Sequence, residues 1–272
     1  MKLLIGIFFL VMLLIQDIST AETAINIQEK LSLIPPQEKM LLDRFFRSLV
    51  ETDGWGYALF GTKALSLAGY FEIEPIDNIL CGYGAFFIKQ GWAVWEKYAH
   101  LFPHPHYIMA GESHKENLYS FYLINKANAL IVINQHLLLF QKELPDFYDA
   151  NRLLKQIEES HSLYKSLNQH EGLLGVMLGF GQESSMNYHQ RDLVIEQRKP
   201  LCFPRVVLDG VSYQTKNKAP YLRSWPIVFV GNSASLEVKS ILNQNKKDRK
   251  KVVRQYSQGN FLEITLQKLT EF

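Results

Sequence analysis

Cysteine and long apolar runs are scarce in this sequence. Cys81 and Cys202 are the only cysteines, so the chain can form no more than one disulfide. Beyond the N-terminal segment, the longest apolar stretch is 127–140, and four polar residues interrupt it. It does not predict a transmembrane helix, which needs about 20 apolar residues. No low-complexity tract is present, and the 12% aromatic and 47% apolar shares indicate a folded globule instead of a disordered chain.

The N-terminus has the layout of a secretory signal peptide. Lys2 precedes an apolar run over residues 3–15, and small residues at Ser19 and Ala21 fit a cleavage site after Ala21. No cysteine lies near that site, which argues against a lipid-modified N-terminus. We therefore expect residues 1–21 to be removed and residues 22–272 to form a single domain that is exported, periplasmic or secreted. The alternative is an uncleaved N-terminal membrane anchor.

Helical and strand patterns predict an α+β fold. The predicted strands come in adjacent pairs and do not alternate singly with helices, which favours a small antiparallel sheet within a helix-rich domain over a doubly wound parallel sheet. The last helix is long and amphipathic. The predicted helices are 37–51, 83–100, 127–142, 150–159, 161–167, 171–179 and 234–256; the predicted strands are 57–60, 65–71, 107–110, 118–124 and 225–230.

The stretch 56–63, GYALFGTK, is close to the phosphate-binding loop G-x-x-x-x-G-K-[ST]. Thr62 separates Gly61 from Lys63, however, and bulky residues occupy the loop positions, so we expect no nucleotide. We predict instead a hairpin in which 57–60 pairs with 65–71 across a turn that exposes Lys63.

Other nucleotide and hydrolase motifs are incomplete: residues 179–181 lack the third glycine of a dinucleotide fingerprint, and residues 231–235 lack the second glycine of G-x-S-x-G.

Two groups of residues are candidates for site chemistry. His100, His104 and His106 are close enough in sequence to suggest a metal site, but prolines break the helix between them. A surface turn is the commoner arrangement for such histidines, so we expect no metal or other cofactor.

Cys81 precedes a predicted helix, where the helix dipole would lower its pKa. It is a candidate nucleophile for a hydrolase with a distant histidine, such as His106 or His189.

The two cysteines leave two further possibilities open. In an oxidising compartment Cys81 and Cys202 can form a disulfide, and otherwise both can be buried free thiols. A disulfide would remove the nucleophile that the hydrolase hypothesis requires.

Positive charge is concentrated near the C-terminus, although the net charge of the whole chain is only +2. Six cations and one anion, Asp248, fall within residues 246–254, mostly off the apolar stripe of the last helix. Such a run is either a solvated helix face or a contact surface for anionic lipid headgroups, a nucleic acid or an acidic protein. The candidate contact residues are Lys246, Lys247, Lys250, Lys251 and Arg254.

Three stretches, GYALFGTKA (56–64), LGFGQES (178–184) and YSQGNFLEITL (256–266), resemble an uncharacterised family of exported proteins from bacteria that live inside host cells. The resemblance implies export, and it brings no activity, ligand or catalytic residue.

The sequence as a whole favours a non-enzymatic binding or interaction module of the envelope or host interface, because none of its motifs forms a complete catalytic set. A cysteine-dependent hydrolase that uses Cys81 is the alternative.

Overall fold

A three-stranded antiparallel sheet lies at the centre of the computed structural model, which describes residues 27–71, 79–113, 118–190, 198–202, 228–232 and 235–271. Its strands are β1 (Leu65–Phe71), β2 (Tyr107–Ser113) and β3 (Leu118–Asn125). β3 lies in the middle, with Leu65 opposite Ile124 on one side and Tyr107 opposite Asn125 on the other. Together with the surrounding helices, this sheet makes the fold α+β, as the sequence predicted.

Both faces of the sheet are covered. Phe121 and Leu123 of β3 point into one apolar cluster, whereas Tyr122 and Ile124 point into another, and all four side chains are buried. Side chains alternate between the two faces of a strand, and antiparallel sheets often leave one face to water. Here the central strand has no polar face, because helices pack on each side.

The first helical layer combines the N-terminal and C-terminal parts of the described chain. Residues 27–32 are helical, and Ala99–Leu101 form a 3₁₀ turn. Aromatic rings dominate the packing: the Phe46 ring contacts that of Trp95 edge-on with centroids 5.2 Å apart. Its other helices are α1 (Pro36–Thr52), α2 (Trp55–Phe60), α3 (Ile79–Tyr98), α10 (Leu236–Tyr256) and α11 (Phe261–Thr270).

The second helical layer follows β3 directly. Side chains cap three of its helices: Asn125, Asp149 and His170 accept hydrogen bonds from the backbone N–H groups of Asn128, Arg152 and Leu173, respectively. A separate two-stranded antiparallel sheet pairs β4 (Arg198–Cys202) with β5 (Val228–Asn232). The layer contains α4 (Lys126–Gln135), α5 (Leu137–Glu143), α6 (Ala150–Ser160), α7 (Leu163–Ser166), α8 (Glu171–Met177) and α9 (Gln182–His189).

The predicted 57–71 hairpin is wrong in its first half. β1 was predicted correctly at 65–71, but residues 55–60 form α2, and the partner of β1 is β3. All six residues of α2 are buried. A short run that is buried on every side shows neither the period of a helix nor that of a strand, so the pattern could not distinguish the two.

Several other predicted elements agree with the structure, and three helical segments, among them residues 27–32, were missed. α1, α6 and α10 lie within two residues of their predicted bounds at either end, whereas the predicted helix 127–142 divides at His136. α9 and α11 were not predicted. α11 does carry a start signal, because Asn260 caps it and an acidic residue, Glu263, follows three positions later.

The predicted signal peptide, residues 1–21, lies outside the described residues. Among the helices that are described, none combines the length and apolarity that a membrane crossing requires.

The assignment of the buried face of α4 can be tested by substituting a buried and an exposed isoleucine of this helix with alanine. Ile133 of α4 is fully buried, whereas Ile131, two residues earlier, is 55% exposed. We expect Ile133→Ala to lower the free energy of unfolding by about 2–5 kcal/mol, because it leaves a cavity in the core. Ile131→Ala should change it by about 0.5 kcal/mol or less. Urea unfolding of both variants measures the difference, and equal losses would contradict the assignment of the buried face.

Candidate functional site

α10 presents two opposite faces. Its buried stripe consists of Val238, Asn245, Asp248, Val252 and Tyr256. At about 100° per residue, the exposed cations occupy an arc of roughly 140° on the opposite side and extend about 12 Å along the axis. We call them the basic arc: Lys246, Lys247, Lys250, Lys251 and Arg254, all exposed.

A buried carboxylate fixes α10 against the loop after α2. Asp248 is only 4% exposed, and its Oδ2 accepts hydrogen bonds from the Thr62 backbone N–H at 2.9 Å and from the Thr62 hydroxyl at 2.7 Å. Its Oδ1 accepts from the Gln244 amide at 2.9 Å. Hydrogen bonds to an ionised carboxylate are stronger than those between neutral groups. The phosphate-loop-like stretch therefore binds an anion that belongs to the same chain.

Glycines allow this close approach. A Cβ on Gly61 would lie 2.7 Å from the Tyr57 carbonyl oxygen and 2.8 Å from the Asp248 carboxylate. A Cβ on Gly56 would lie 2.8 Å from Val252 of α10. The spacing of glycines in GYALFGTK thus serves the contact between α2 and α10.

A second carboxylate of α10 also accepts hydrogen bonds from backbone N–H groups that follow a glycine, here at the start of α9. Glu237 accepts hydrogen bonds from the backbone N–H groups of Gln182 at 2.8 Å and Glu183 at 3.3 Å. These are free N–H groups at the N-terminus of a helix, where negative charge is favourable. Gly181 precedes them with φ +84°, and a Cβ there would lie 2.7 Å from the Glu237 carboxyl carbon.

Aromatic rings fix the C-terminal end of α10. The Tyr256 ring contacts that of Phe60 edge-on at 5.2 Å and stacks on that of Phe261 at 4.6 Å. Its hydroxyl lies 3.0 Å from the hydroxyl of Thr265. Stretches 56–64, 178–184 and 256–266, far apart in sequence, thus all contain residues that contact α10.

The sequence predicted that Lys63 is an exposed turn residue. This prediction is wrong, because Lys63 is buried and only 7% exposed. Burial lowers the pKa of its ammonium to about 8, against an opposing effect of the Asp53 charge. Burial also raises the pKa of Asp53 to about 6, although a hydrogen bond from Thr52 and the Lys63 charge act the other way. The two groups therefore carry opposite charges at neutral pH. The prediction failed because it took the turn to be on the surface, whereas α1, α2 and β1 meet there.

The three candidate metal-binding histidines have separate environments. His100 is exposed in the 3₁₀ turn, and the His104 Nδ1–H donates to the Phe102 carbonyl at 3.0 Å. His106 is exposed, and its carbonyl accepts a hydrogen bond from the Lys126 N–H. Within the described part of the chain, no three His, Cys, Asp or Glu side chains come together as a metal site would require.

The cysteine hypotheses stay predictions. Cys81 is the third residue of α3 and Cys202 is the last residue of β4, but the side chains of both lie outside the described part of the structure. His189, named as a possible partner of Cys81, stacks on His170 with ring centroids 3.8 Å apart.

The cations of the basic arc were predicted from the sequence, but the residues that orient the arc were not. Asp248 carries a signal in retrospect, since it is the one acid of the 246–254 run and lies on the stripe of Val238, Asn245 and Val252. Its hydrogen-bond partner is 186 positions away, and no local pattern identifies such a partner.

Comparisons with protein-family models, curated proteins and solved structures gave no match.

The loop contact can be tested with paired glycine substitutions. We expect Gly61→Ala to lower the free energy of unfolding by about 1–3 kcal/mol, because the new methyl group has no room between Tyr57 and Asp248. Gly259→Ala is the control, since its nearest contact would be an ordinary 3.7 Å. Denaturant unfolding of both variants measures the effect. A Gly61→Ala protein as stable as Gly259→Ala would contradict the close approach.

The buried lysine predicts a pH dependence of stability. Between about pH 8 and its ordinary pKa of 10.5, Lys63 is protonated in the unfolded chain but neutral in the folded one. Because the unfolded state then binds more protons, the free energy of unfolding should rise with pH across this window, on the order of 3 kcal/mol in total.

The measurement is the difference in unfolding free energy between wild type and Lys63→Met as a function of pH. We expect this difference to increase from pH 8 to 10.5. The matched control is Lys142→Met, which removes an exposed lysine and should give a flat difference. A flat difference for Lys63→Met as well would show that Lys63 titrates normally.

Proposed function

We propose that the protein is an exported, non-enzymatic interaction module whose basic arc binds an anionic membrane surface at the envelope or host interface. The observation that supports this most directly is the orientation of α10. Asp248 and Glu237 face inward and are hydrogen-bonded, so the five cations of the arc face outward on a fixed helix.

The charges of the arc are available for a partner. Among the described residues, none of the five cations forms an ion pair, and the one acid within the run, Asp248, is buried. Each Lys or Arg close to an anionic lipid surface contributes about 1 kcal/mol of binding free energy at physiological ionic strength. Five such charges within about 12 Å of helix form a strong local attraction for anions.

The composition of the arc favours lipid headgroups over a protein partner. Four of the five residues are lysines, which act as point charges, and the arc carries no aromatic side chain. Protein interfaces derive most of their affinity from a few Trp, Tyr and Arg residues in desolvated pockets. A diffuse layer of anionic headgroups requires no such pocket.

The buried stripe determines how the helix would lie on a membrane. Amphipathic helices that insert into a bilayer use an exposed apolar face. In α10 the corresponding face packs against α2 and α11, where Val252 and Tyr256 are buried. The arc therefore rests on headgroups by electrostatic attraction, and its binding weakens as salt increases.

The test measures cosedimentation of the full chain with mixed phosphatidylcholine–phosphatidylglycerol vesicles. The double variant Lys250→Gln/Lys251→Gln should bind about 30-fold more weakly than wild type at low salt, from about 1 kcal/mol for each lysine. The control Lys142→Gln/Lys155→Gln changes the net charge equally at exposed sites outside α10 and should bind like wild type.

Three results would overturn the proposal. Equal losses in the two double variants would show that only net charge matters. Equal binding to pure phosphatidylcholine vesicles would show that the attraction is not to anionic lipid. Binding to polyglutamate without binding to anionic vesicles would identify an acidic protein as the partner.

A further inference from the structure

A polar cleft lies in the second helical layer, on the other side of the central sheet from α10. It has a volume of about 330 Å³ and runs between the loop 144–149, the first turns of α6 and the end of α7. Leu144 and Leu153 at its base belong to the apolar cluster that covers the Tyr122 face of the sheet. A volume of this size is at the lower end of the range for small-molecule sites.

Four charged side chains line this cleft, and one of them, Asp149, caps α6 by accepting a hydrogen bond from the Arg152 backbone N–H. Arg152, Lys165 and Asp146 form no ion pair with any other described residue, whereas Lys155, on the same helix as Arg152, pairs with Glu159. Arg152 on α6 and Lys165 on α7 both line the cleft, and they are suited to a carboxylate, because the guanidinium can donate two parallel hydrogen bonds.

An aromatic ring stands at the cleft wall. Tyr148 is 73% exposed, unusually so for a large aromatic side chain, and the Arg152 guanidinium carbon lies 5.5 Å from its ring centroid. Leaving such a ring in water forgoes the stabilisation that burying its apolar face would give. A ligand with a flat apolar face could cover it.

The two segments on either side of α6 that line the cleft, 144–149 and 165–168, are fixed before any ligand binds. Glu143 directly precedes the 144–149 loop, and its Oε2 lies 3.3 Å from Nε2 of His170, two residues after Asn168. His170 Nδ1 accepts a hydrogen bond from the Leu173 N–H, so the ring proton is on Nε2, which donates a hydrogen bond to Glu143. Asn168 and Gln169 adopt left-handed backbone angles of 50° and 56°, held by hydrogen bonds to Lys165 and Tyr164 carbonyls. A preorganised site loses less entropy on binding.

From this combination we propose that the cleft binds a small acidic saccharide. Arg152 and Lys165 bind the carboxylate of the sugar, and the apolar face of the sugar ring stacks on Tyr148. The carboxylate of Asp146 and the side-chain amides of Gln156 and Asn168 pair with hydroxyl groups, which both donate and accept hydrogen bonds. This site shares no residue with the basic arc and does not depend on it.

Isothermal titration calorimetry of the full chain with digalacturonate, and with cellobiose as a neutral disaccharide of similar size, tests the proposal. We expect saturable binding of digalacturonate and at least tenfold weaker binding of cellobiose. Arg152→Gln and Tyr148→Ala should each weaken digalacturonate binding about tenfold or more. Both side chains are exposed, so urea unfolding of the variants should match that of wild type.

Lys155→Gln is the matched control, because it removes a cation from the same helix outside the cleft lining. It should bind digalacturonate like wild type, as should Lys250→Gln/Lys251→Gln. The proposal is wrong if wild type gives no saturable heat with digalacturonate, if cellobiose binds as tightly, or if Arg152→Gln binds like wild type. Equal binding of an acetylated Asp–Glu dipeptide would show that the cleft recognises carboxylates without a sugar.

Discussion

The hydrogen bonds between the Asp248 carboxylate and residue Thr62 determine how the last long helix is placed. A buried carboxylate costs several kcal/mol unless its oxygens are hydrogen-bonded, and here the Thr62 N–H, the Thr62 hydroxyl and the Gln244 amide supply the donors. Rotating α10 about its axis would break these bonds and expose Val252 and Tyr256. The outward direction of the basic arc is therefore a consequence of one inward-facing acid.

Hydrogen bonds from backbone N–H groups to carboxylates of α10 also connect the two helical layers. Asp248 binds the loop after α2, in the first layer, and Glu237 binds the N-terminus of α9, which packs on α8 in the second. Each carboxylate meets backbone N–H groups next to a glycine, because a Cβ at Gly61 or Gly181 would occupy the space of the carboxylate. α10 thus holds together parts of the chain that lie on opposite faces of the sheet, while its solvent face stays available to bind.

Sequence reasoning succeeded where burial follows a simple period and failed where it does not. α6 was predicted nearly to the residue, and its Leu153, Leu154 and Ile157 repeat at helical spacing with polar residues around them. α2 was predicted as a strand because every one of its residues is buried and no period exists. Lys63 was placed on the surface because it was assigned to a hairpin turn, whereas it is buried near Asp53, which carries a compensating charge.

The sequence by itself determined the fold class, the strands β1 and β3 and the grouping of five cations on one arc of a helix, since each follows from residues close together in the chain. The tertiary structure alone decided that Asp248 and Glu237 orient that helix, that Lys63 is buried, and that Tyr148, Arg152 and Lys165 line one cleft. Hydrogen bonds, burial and charge pairing depend on which surfaces meet, and Thr62 and Asp248, for example, are 186 positions apart.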